Sequence, residues 1–173
     1  TNQLKEDQYF LVTLHRPSNV DDPEKLASVL SAIEEASMDF PVVFPVHPRT
    51  RQIIDQFKLN KKKMLMIDPQ GYLEFMFLVK NAKGIITDSG GITEEATVLH
   101  IPCLTMRNST ERPETITLGT NELIGDDIHK LKPGIQKIID GKWKKGTIPP
   151  FWDGNTSERI VNILENVDAL KNA

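Results

Sequence analysis

The stretch "AKGIITDSGGITEEA" (residues 82–96) decides the predicted fold. A short apolar run ends in Asp-Ser-Gly-Gly, and a helical segment with two glutamates follows at once. A strand, a glycine turn and a helix in succession form one unit of a parallel α/β sheet. The glycines let a ligand approach the backbone, and the first N–H groups of the helix suit an anion such as phosphate. The alternative is that Asp88 or Ser89 only caps the helix.

Similar units lie on both sides of this stretch. Short apolar runs predict strands at 9–14, 40–46, 64–67, 84–87, 102–106 and 121–125. Helices are predicted from about residue 21 and at 50–57, 72–82, 90–99, 127–139 and 156–170; the last carries an apolar stripe of Ile160, Ile163, Leu164 and Val167. Strand followed by helix, five or six times, predicts one domain (residues 1–173) with a doubly wound, Rossmann-like parallel α/β sheet of about six strands.

The composition excludes several classes of protein. The chain has 173 residues, enough for one domain, and a net charge of −3, which argues against an electrostatic nucleic-acid binder. No apolar run approaches the ~20 residues of a membrane span. Cys103 is the only cysteine, so neither a disulfide framework nor a cysteine-rich metal site is expected. We therefore expect a cytoplasmic protein that binds neither nucleic acid nor membrane.

Polar residues gather where the predicted strands end, at the edge where doubly wound sheets bind ligands. Glu94 and Glu95 lie one turn into the helix that follows the glycines, where a carboxylate can accept hydrogen bonds from the diol of a ribose. Their alternative role is favourable charge in the first turns of a helix. There is no G-x-G-x-x-G and no Walker lysine, so a sugar nucleotide is favoured over a dinucleotide or ATP. The polar segments are "HRPSN" (15–19), "HPRT" (47–50), "DPQGY" (68–72), "DSGG" (88–91) and "RNSTERPE" (107–114).

These motifs, with "GTNELIG" (119–125) and "WDGNTSERI" (152–160), closely resemble the non-hydrolysing UDP-N-acetylglucosamine 2-epimerases. The resemblance extends from residue 9 to residue 160. It implies one half of a two-domain glycosyltransferase B type (GT-B) fold, namely the C-terminal, UDP-binding domain. The N-terminal domain of the enzyme is then missing, and the full enzyme is expected to be a homodimer.

The resemblance also implies a reaction. The family interconverts UDP-GlcNAc and UDP-ManNAc by anti-elimination of UDP to a 2-acetamidoglucal and re-addition with inversion at C2. No cofactor and no metal are implied, and the product feeds cell-surface polysaccharide synthesis. Carboxylates of the missing domain are expected to carry out much of the proton transfer. This half is therefore expected to bind UDP weakly and not to epimerise it.

Site residues follow from the resemblance position by position. Catalytic roles are implied for His15, Glu111 and Arg112. Thr93 departs from the pattern, since many relatives carry glutamine there, and this puts fine substrate selection in question. Contacts to UDP are implied for Arg16, His47, Arg49, Phe75, Ser89, Gly90, Gly91, Glu95 and Arg107. Phe75 would lie against uracil, Ser89 with the glycines would hold phosphate, and Glu95 would hold ribose; a core aromatic is the alternative for Phe75.

Three other functions compete with this interpretation. The chain could be the nucleotide-binding half of a GT-B glycosyltransferase, which needs an acceptor and leaves C2 unchanged. It could belong to a hydrolysing epimerase that releases free ManNAc. Finally, a flavodoxin-like or receiver-type module would bind partners without catalysis, although the His, Arg, Ser and Glu residues at successive strand ends argue against it.

Overall fold

The fold is one six-stranded parallel sheet. The computed structural model describes residues 4–59 and 64–171, with side chains of the last helix described to residue 166. The strand order is β3-β2-β1-β4-β5-β6, so the chain runs outward from β1 in one direction and then returns to β4 and runs in the other. The strands are β1 (Phe10–Thr13), β2 (Val42–Pro45), β3 (Met64–Ile67), β4 (Gly84–Thr87), β5 (Cys103–Thr105) and β6 (Asn121–Leu123).

Helices follow every strand and cover both faces of the sheet. All six predicted strands and all six predicted helices are confirmed, although the helix predicted at 127–139 begins as a short 3-10 turn over Ile128–Lys130. Two single-turn helices were not predicted, because four residues show no periodicity. The helices are α1 (Pro17–Val20), α2 (Pro23–Ala36), α3 (Pro48–Gln56), α4 (Tyr72–Lys80), α5 (Gly90–Val98), α6 (Glu114–Thr117), α7 (Leu131–Ile139) and α8 (Thr156–Lys171).

The central strands are apolar because both of their faces are covered. In β1, Phe10, Leu11 and Val12 are fully buried. Alternate residues point into two core clusters, one under α2 and α7 and the other under α4 and α5. This arrangement leaves only the strand ends free to carry polar side chains, and β1 and β4 are hydrogen-bonded neighbours at the point where the strand order reverses.

Helix α3 begins earlier than predicted. The sequence predicted residues 50–57, but the helix starts at Pro48, because the Nδ1 atom of His47 accepts a hydrogen bond from the Arg49 N–H and caps the first turn. Proline fits the first helical position, where its missing N–H costs nothing.

Helix α8 carries the predicted apolar stripe, but nothing in the described chain covers it. Ile160, Ile163 and Leu164 are 51%, 62% and 58% exposed. Val167, the fourth member of the stripe, lies outside the described side chains. Because an amphipathic helix gains most of its stability from burying its apolar face, α8 presents a surface suited to another protein segment. Among the described helices, none is both long and apolar enough to cross a membrane.

The turn after α6 permits only glycine, and this generates a prediction about stability. A Cβ atom on Gly119 would lie 2.6 Å from the Thr115 carbonyl oxygen and 2.5 Å from Thr97 Oγ1. We expect Gly119→Ala to lower the free energy of unfolding by about 1–3 kcal/mol, because the backbone of α6 must move. Gly91→Ala is the matched control: a Cβ atom there meets nothing within 4 Å, and alanine favours the helix. Urea denaturation measures both, and equal losses would contradict this packing.

Candidate functional site

The site is organised by Asp88, a fully buried carboxylate at the end of β4. It accepts hydrogen bonds from the backbone N–H groups of His15, at 3.1 Å, and Arg16, at 2.9 Å. The Arg16 side chain donates in return from Nε to the Asp88 carbonyl oxygen at 3.0 Å. Side-chain-to-backbone hydrogen bonds therefore connect the ends of β1 and β4, at the point where the strand order reverses.

The same carboxylate fixes the His15 imidazole. His15 Nδ1 lies 2.8 Å from Asp88 Oδ1, so Nδ1 carries the donated proton and Nε2 is the ring atom left to face a ligand. Half of the His15 side chain remains exposed. Asn19 completes the arrangement, since its buried Nδ2 donates to Asp88 at 3.0 Å and to the Met106 carbonyl oxygen at 3.3 Å.

The start of α5 leaves a hydroxyl and several N–H groups available. Ser89 is the N-cap residue, but its side chain makes no capping hydrogen bond. Asp88 points back to β1 instead of capping, so the interpretation of these two residues as a simple cap is wrong. Gly91 is exposed, and Thr93 turns inward to donate to the Gly90 carbonyl oxygen at 2.6 Å. The first turn of α5 is thus a helix end that the Ser89 hydroxyl beside it does not cap.

Arg107 places a buried positive charge beside this helix end. Its guanidinium side chain is 7% exposed, and a Cβ atom on Gly90 would lie only 3.2 Å from its Nη1 atom. Nη2 donates to Glu111 Oε1 at 2.6 Å. This hydrogen bond, with a smaller contribution from the charge of Arg16, lowers the pKa of Glu111 to about 2, so the side chain is a carboxylate at neutral pH.

Arg112 lies on the other side of the same loop. Its Nε atom donates to Glu94 on α5, and that hydrogen bond raises the pKa of Arg112. The pair lines an open cavity of ≈ 500 Å³ with an apolar floor that includes Met76 and Trp152. The structure therefore brings Arg112 to α5 but directs it to Glu94, one turn beyond the helix end.

Glu95 lines the same cavity, beside Tyr72 from α4. Burial raises the pKa of Glu95, and the hydrogen bond with the tyrosine hydroxyl opposes that shift. Phe75, one turn later on α4, is half-buried and packs against the core cluster under α4 and α5. An exposed aromatic ring beside Glu95 thus belongs to Tyr72, a residue that the sequence pattern had not assigned to the site.

His47 and Arg49 stand at the end of β2, as predicted, but both have local partners. His47 caps α3, and Arg49 Nη2 donates to Asp21 Oδ2 at 2.8 Å. Asp88, Asn19 and Tyr72 are the site residues that sequence reasoning missed. The available signal was an aspartate at the end of an apolar strand, two residues before Gly90, because a carboxyl group buried there needs several hydrogen-bond donors.

Comparisons with known proteins identify relatives of the chain. The family model described as UDP-N-acetylglucosamine 2-epimerase matches residues 1–165. The UDP-N-acetylglucosamine 2-epimerase of Methanocaldococcus jannaschii is 45% identical over 168 residues, which are 92% of this chain and 45% of that protein. The UDP-2,3-diacetamido-2,3-dideoxy-D-glucuronate 2-epimerase of Pseudomonas aeruginosa is 45% identical over 160 residues, again 92% of this chain and 45% of that protein.

Solved structures agree with the sequence comparisons. The crystal structure of the M. jannaschii UDP-GlcNAc 2-epimerase in complex with UDP-GlcNAc and UDP has a TM-score of 0.77 and 44% identity, over 91% of this chain and 45% of that chain. The chain thus spans a little less than half the length of its relatives. The predicted fold class is confirmed: a Rossmann-like parallel sheet that forms one half of a GT-B fold.

The role of Asp88 generates a second prediction. Asp88→Asn would place an amide N–H₂ or a weaker acceptor against the four donors that Asp88 accepts from, so we expect the free energy of unfolding to fall by roughly 2–4 kcal/mol. Asp126→Asn is the control, because Asp126 is exposed and accepts from Asn108 and Lys25 at the surface; its loss should stay within about 1 kcal/mol. Chemical denaturation measures both. Faster amide exchange at His15 and Arg16 in the Asp88 variant would locate the effect, and a similar small loss in both variants would refute it.

Proposed function

The chain belongs to the UDP-N-acetylglucosamine 2-epimerase family, and from this premise we propose that it is the UDP-binding half of an isomerase that inverts C2 of a UDP-sugar. The observation that carries the proposal is the uncapped first turn of α5, with Ser89 and the two glycines on it and the buried Arg107 guanidinium beside it. A helix N-terminus and a fixed cation together suit the diphosphate of a sugar nucleotide.

The nucleoside is proposed to lie along the adjacent helices. Glu95 accepts hydrogen bonds from the ribose hydroxyls, with Tyr72 holding one side of its carboxylate. Phe75 contributes the apolar surface for uracil from the start of α4. Arg16, His47 and Arg49 complete the rim, and Arg49 must leave Asp21 to do so.

The chemistry follows from what the charged groups can do. UDP leaves as charge develops on its β-phosphate, and Arg107 with Arg112 stabilises that charge. His15 is held through Nδ1 by Asp88, so Nε2 faces the site: it donates to the departing phosphate when the ring is protonated, and it accepts a proton from the sugar when the ring is neutral. Glu111 belongs to the same closing loop. UDP then adds back to C1 of the 2-acetamidoglucal while a proton is delivered to the face of C2 opposite to the one it left. C2 is thereby inverted, and UDP-GlcNAc becomes UDP-ManNAc for cell-surface polysaccharide synthesis.

The missing half of the protein supplies the remaining groups. The chain covers 45% of the relatives it matches, and the apolar stripe on α8 has no cover within the described chain. We propose that the N-terminal domain covers this stripe and brings the carboxylates that remove and return the C2 proton. The homodimer and the cytoplasmic location expected from the sequence stay predictions.

Two alternatives keep the same nucleotide site. A GT-B glycosyltransferase would bind UDP identically but leave the C2–H bond intact, and a hydrolysing epimerase would release free ManNAc. The P. aeruginosa relative, equally similar, is named for a diacetamido glucuronate, so the sugar itself is open. UDP is common to these substrates, which makes it the probe for this half. A module that binds partners without catalysis would ignore UDP.

Binding of UDP tests the assigned contacts. By calorimetry we expect Ser89→Ala to weaken UDP by about 1–3 kcal/mol and leave uridine unchanged, because only UDP carries phosphate. Glu95→Ala should weaken both ligands by a similar amount, because both carry ribose. Glu122→Ala is the control, because Glu122 lies on β6 near Lys137, at 3.9 Å, and its variant should bind both ligands like the wild type. If the wild-type chain bound UDP no better than uridine, the phosphate site would be misassigned.

The reaction is tested by deuterium exchange. The purified 173-residue chain should leave UDP-GlcNAc unchanged, because it lacks the proposed base. The full-length protein in D2O should give UDP-ManNAc and place deuterium at C2 of both sugars, as followed by NMR. Transfer of the sugar with C2 still protonated would favour the glycosyltransferase, free ManNAc would favour the hydrolysing enzyme, and turnover by the isolated chain would contradict the division of roles.

A further inference from the structure

The carboxylate of Glu111 occupies space beside the helix end that the proposed function gives to phosphate. A Cβ atom on Gly90 would lie 3.6 Å from Glu111 Oε2 and 3.2 Å from Arg107 Nη1, so the ion pair stands directly against the first residue of α5. The Arg107–Glu111 hydrogen bond is 2.6 Å long. An anion on a guanidinium, next to an uncapped helix end, is the chemistry expected of a bound phosphate.

The two members of this pair differ sharply in exposure. The Arg107 side chain is 7% exposed and the Glu111 side chain 67%. A cation buried to this degree must always have an anionic partner, because an uncompensated buried charge is costly. An exposed carboxylate, by contrast, can return to water with little loss. The cation is therefore fixed, and its partner can be exchanged.

From this geometry we propose that Glu111 serves as an internal substitute for phosphate: it holds Arg107 while the site is empty and gives it up to the diphosphate of the incoming nucleotide. This inference rests on the proposed function. The exchange explains why the charged loop after β5 forms two separate Arg–Glu pairs. Glu111 keeps Arg107 oriented without substrate, and Glu94 holds Arg112.

The exchange would also change Glu111 itself. In the empty chain Arg107 holds the pKa of Glu111 at about 2, so the carboxylate is a very weak base. Once phosphate replaces it on Arg107, the largest cause of that lowering is removed, and the pKa should move back toward its ordinary value near ~4.3. Substrate binding would thus release a carboxylate at the edge of the site at the moment when the sugar arrives.

Titration of the 173-residue chain with UDP and with uridine tests the proposal. Glu111→Gln removes the competing charge but keeps the size of the side chain, so UDP should bind about three- to tenfold more tightly while uridine is unaffected. Glu114→Gln is the matched control: Glu114 lies in the same region but lines the cavity beside Arg112, and its variant should bind UDP like the wild type. Unchanged or weaker UDP binding by Glu111→Gln would overturn the proposal, because the carboxylate would then only support Arg107.

A second measurement does not depend on the variant. Carbon-detected NMR of the Glu111 carboxyl group, recorded at about pH 3.5, should show a carboxylate in the free chain and increasing protonation with saturating UDP. A signal that UDP does not shift would mean that the ion pair persists. If UDP failed to bind at all, the proposed function would fail for this chain and this inference with it, whereas UDP binding without these effects would refute the inference alone.

Discussion

The structure depends on a single buried carboxylate. Asp88 is an ionisable group with no solvent exposure at the point where the sheet reverses direction, and burial of such a charge is tolerated only when hydrogen bonds satisfy it. Its donors all come from one five-residue segment after β1, through two backbone N–H groups and the side chains of His15 and Asn19. The contacts that satisfy Asp88 therefore also set the orientation of the His15 imidazole. Because Asp88 is directed to the β1 segment, it does not cap α5, and the first turn of α5 with its two glycines stays open to a ligand.

Much of the fold could be predicted because its strands are buried on both faces. The run "GIIT" (84–87) contains no charge, and β4 ends directly before Asp88, the first charged residue after it. Elements without such contrast were missed. Helix α1 and helix α6 have only four residues each, too few for a period, and the start of α3 was misplaced because histidine is not among the usual capping residues.

The candidate site could be predicted in composition but not in pairing. Sequence shows that arginines and glutamates share the loop after β5, yet Arg107 turns to Glu111 four residues on, while Arg112 turns to Glu94 on a different helix. Which glutamate each arginine binds depends on the backbone geometry of the loop, and the spacing of the residues in the sequence does not determine that geometry. For the same reason the sequence did not show that Phe75 packs partly against the core, or that Tyr72, three residues earlier, stands beside Glu95.

The pairing has a consequence for catalysis. Four carboxylates lie at the proposed phosphate and ribose positions, and each is already engaged: Asp88 with the β1 segment, Glu94 with Arg112, Glu95 with Tyr72 and Glu111 with Arg107. Glu111 shows the effect of a cationic partner: Arg107 holds its pKa at about 2, so this carboxylate is a poor base for a weakly acidic C–H bond. Burial raises the pKa of Glu95, but the proposed function uses that carboxylate for ribose. On the proposed function, the base that removes the C2 proton therefore comes from a second domain, which closes over the sugar and excludes water.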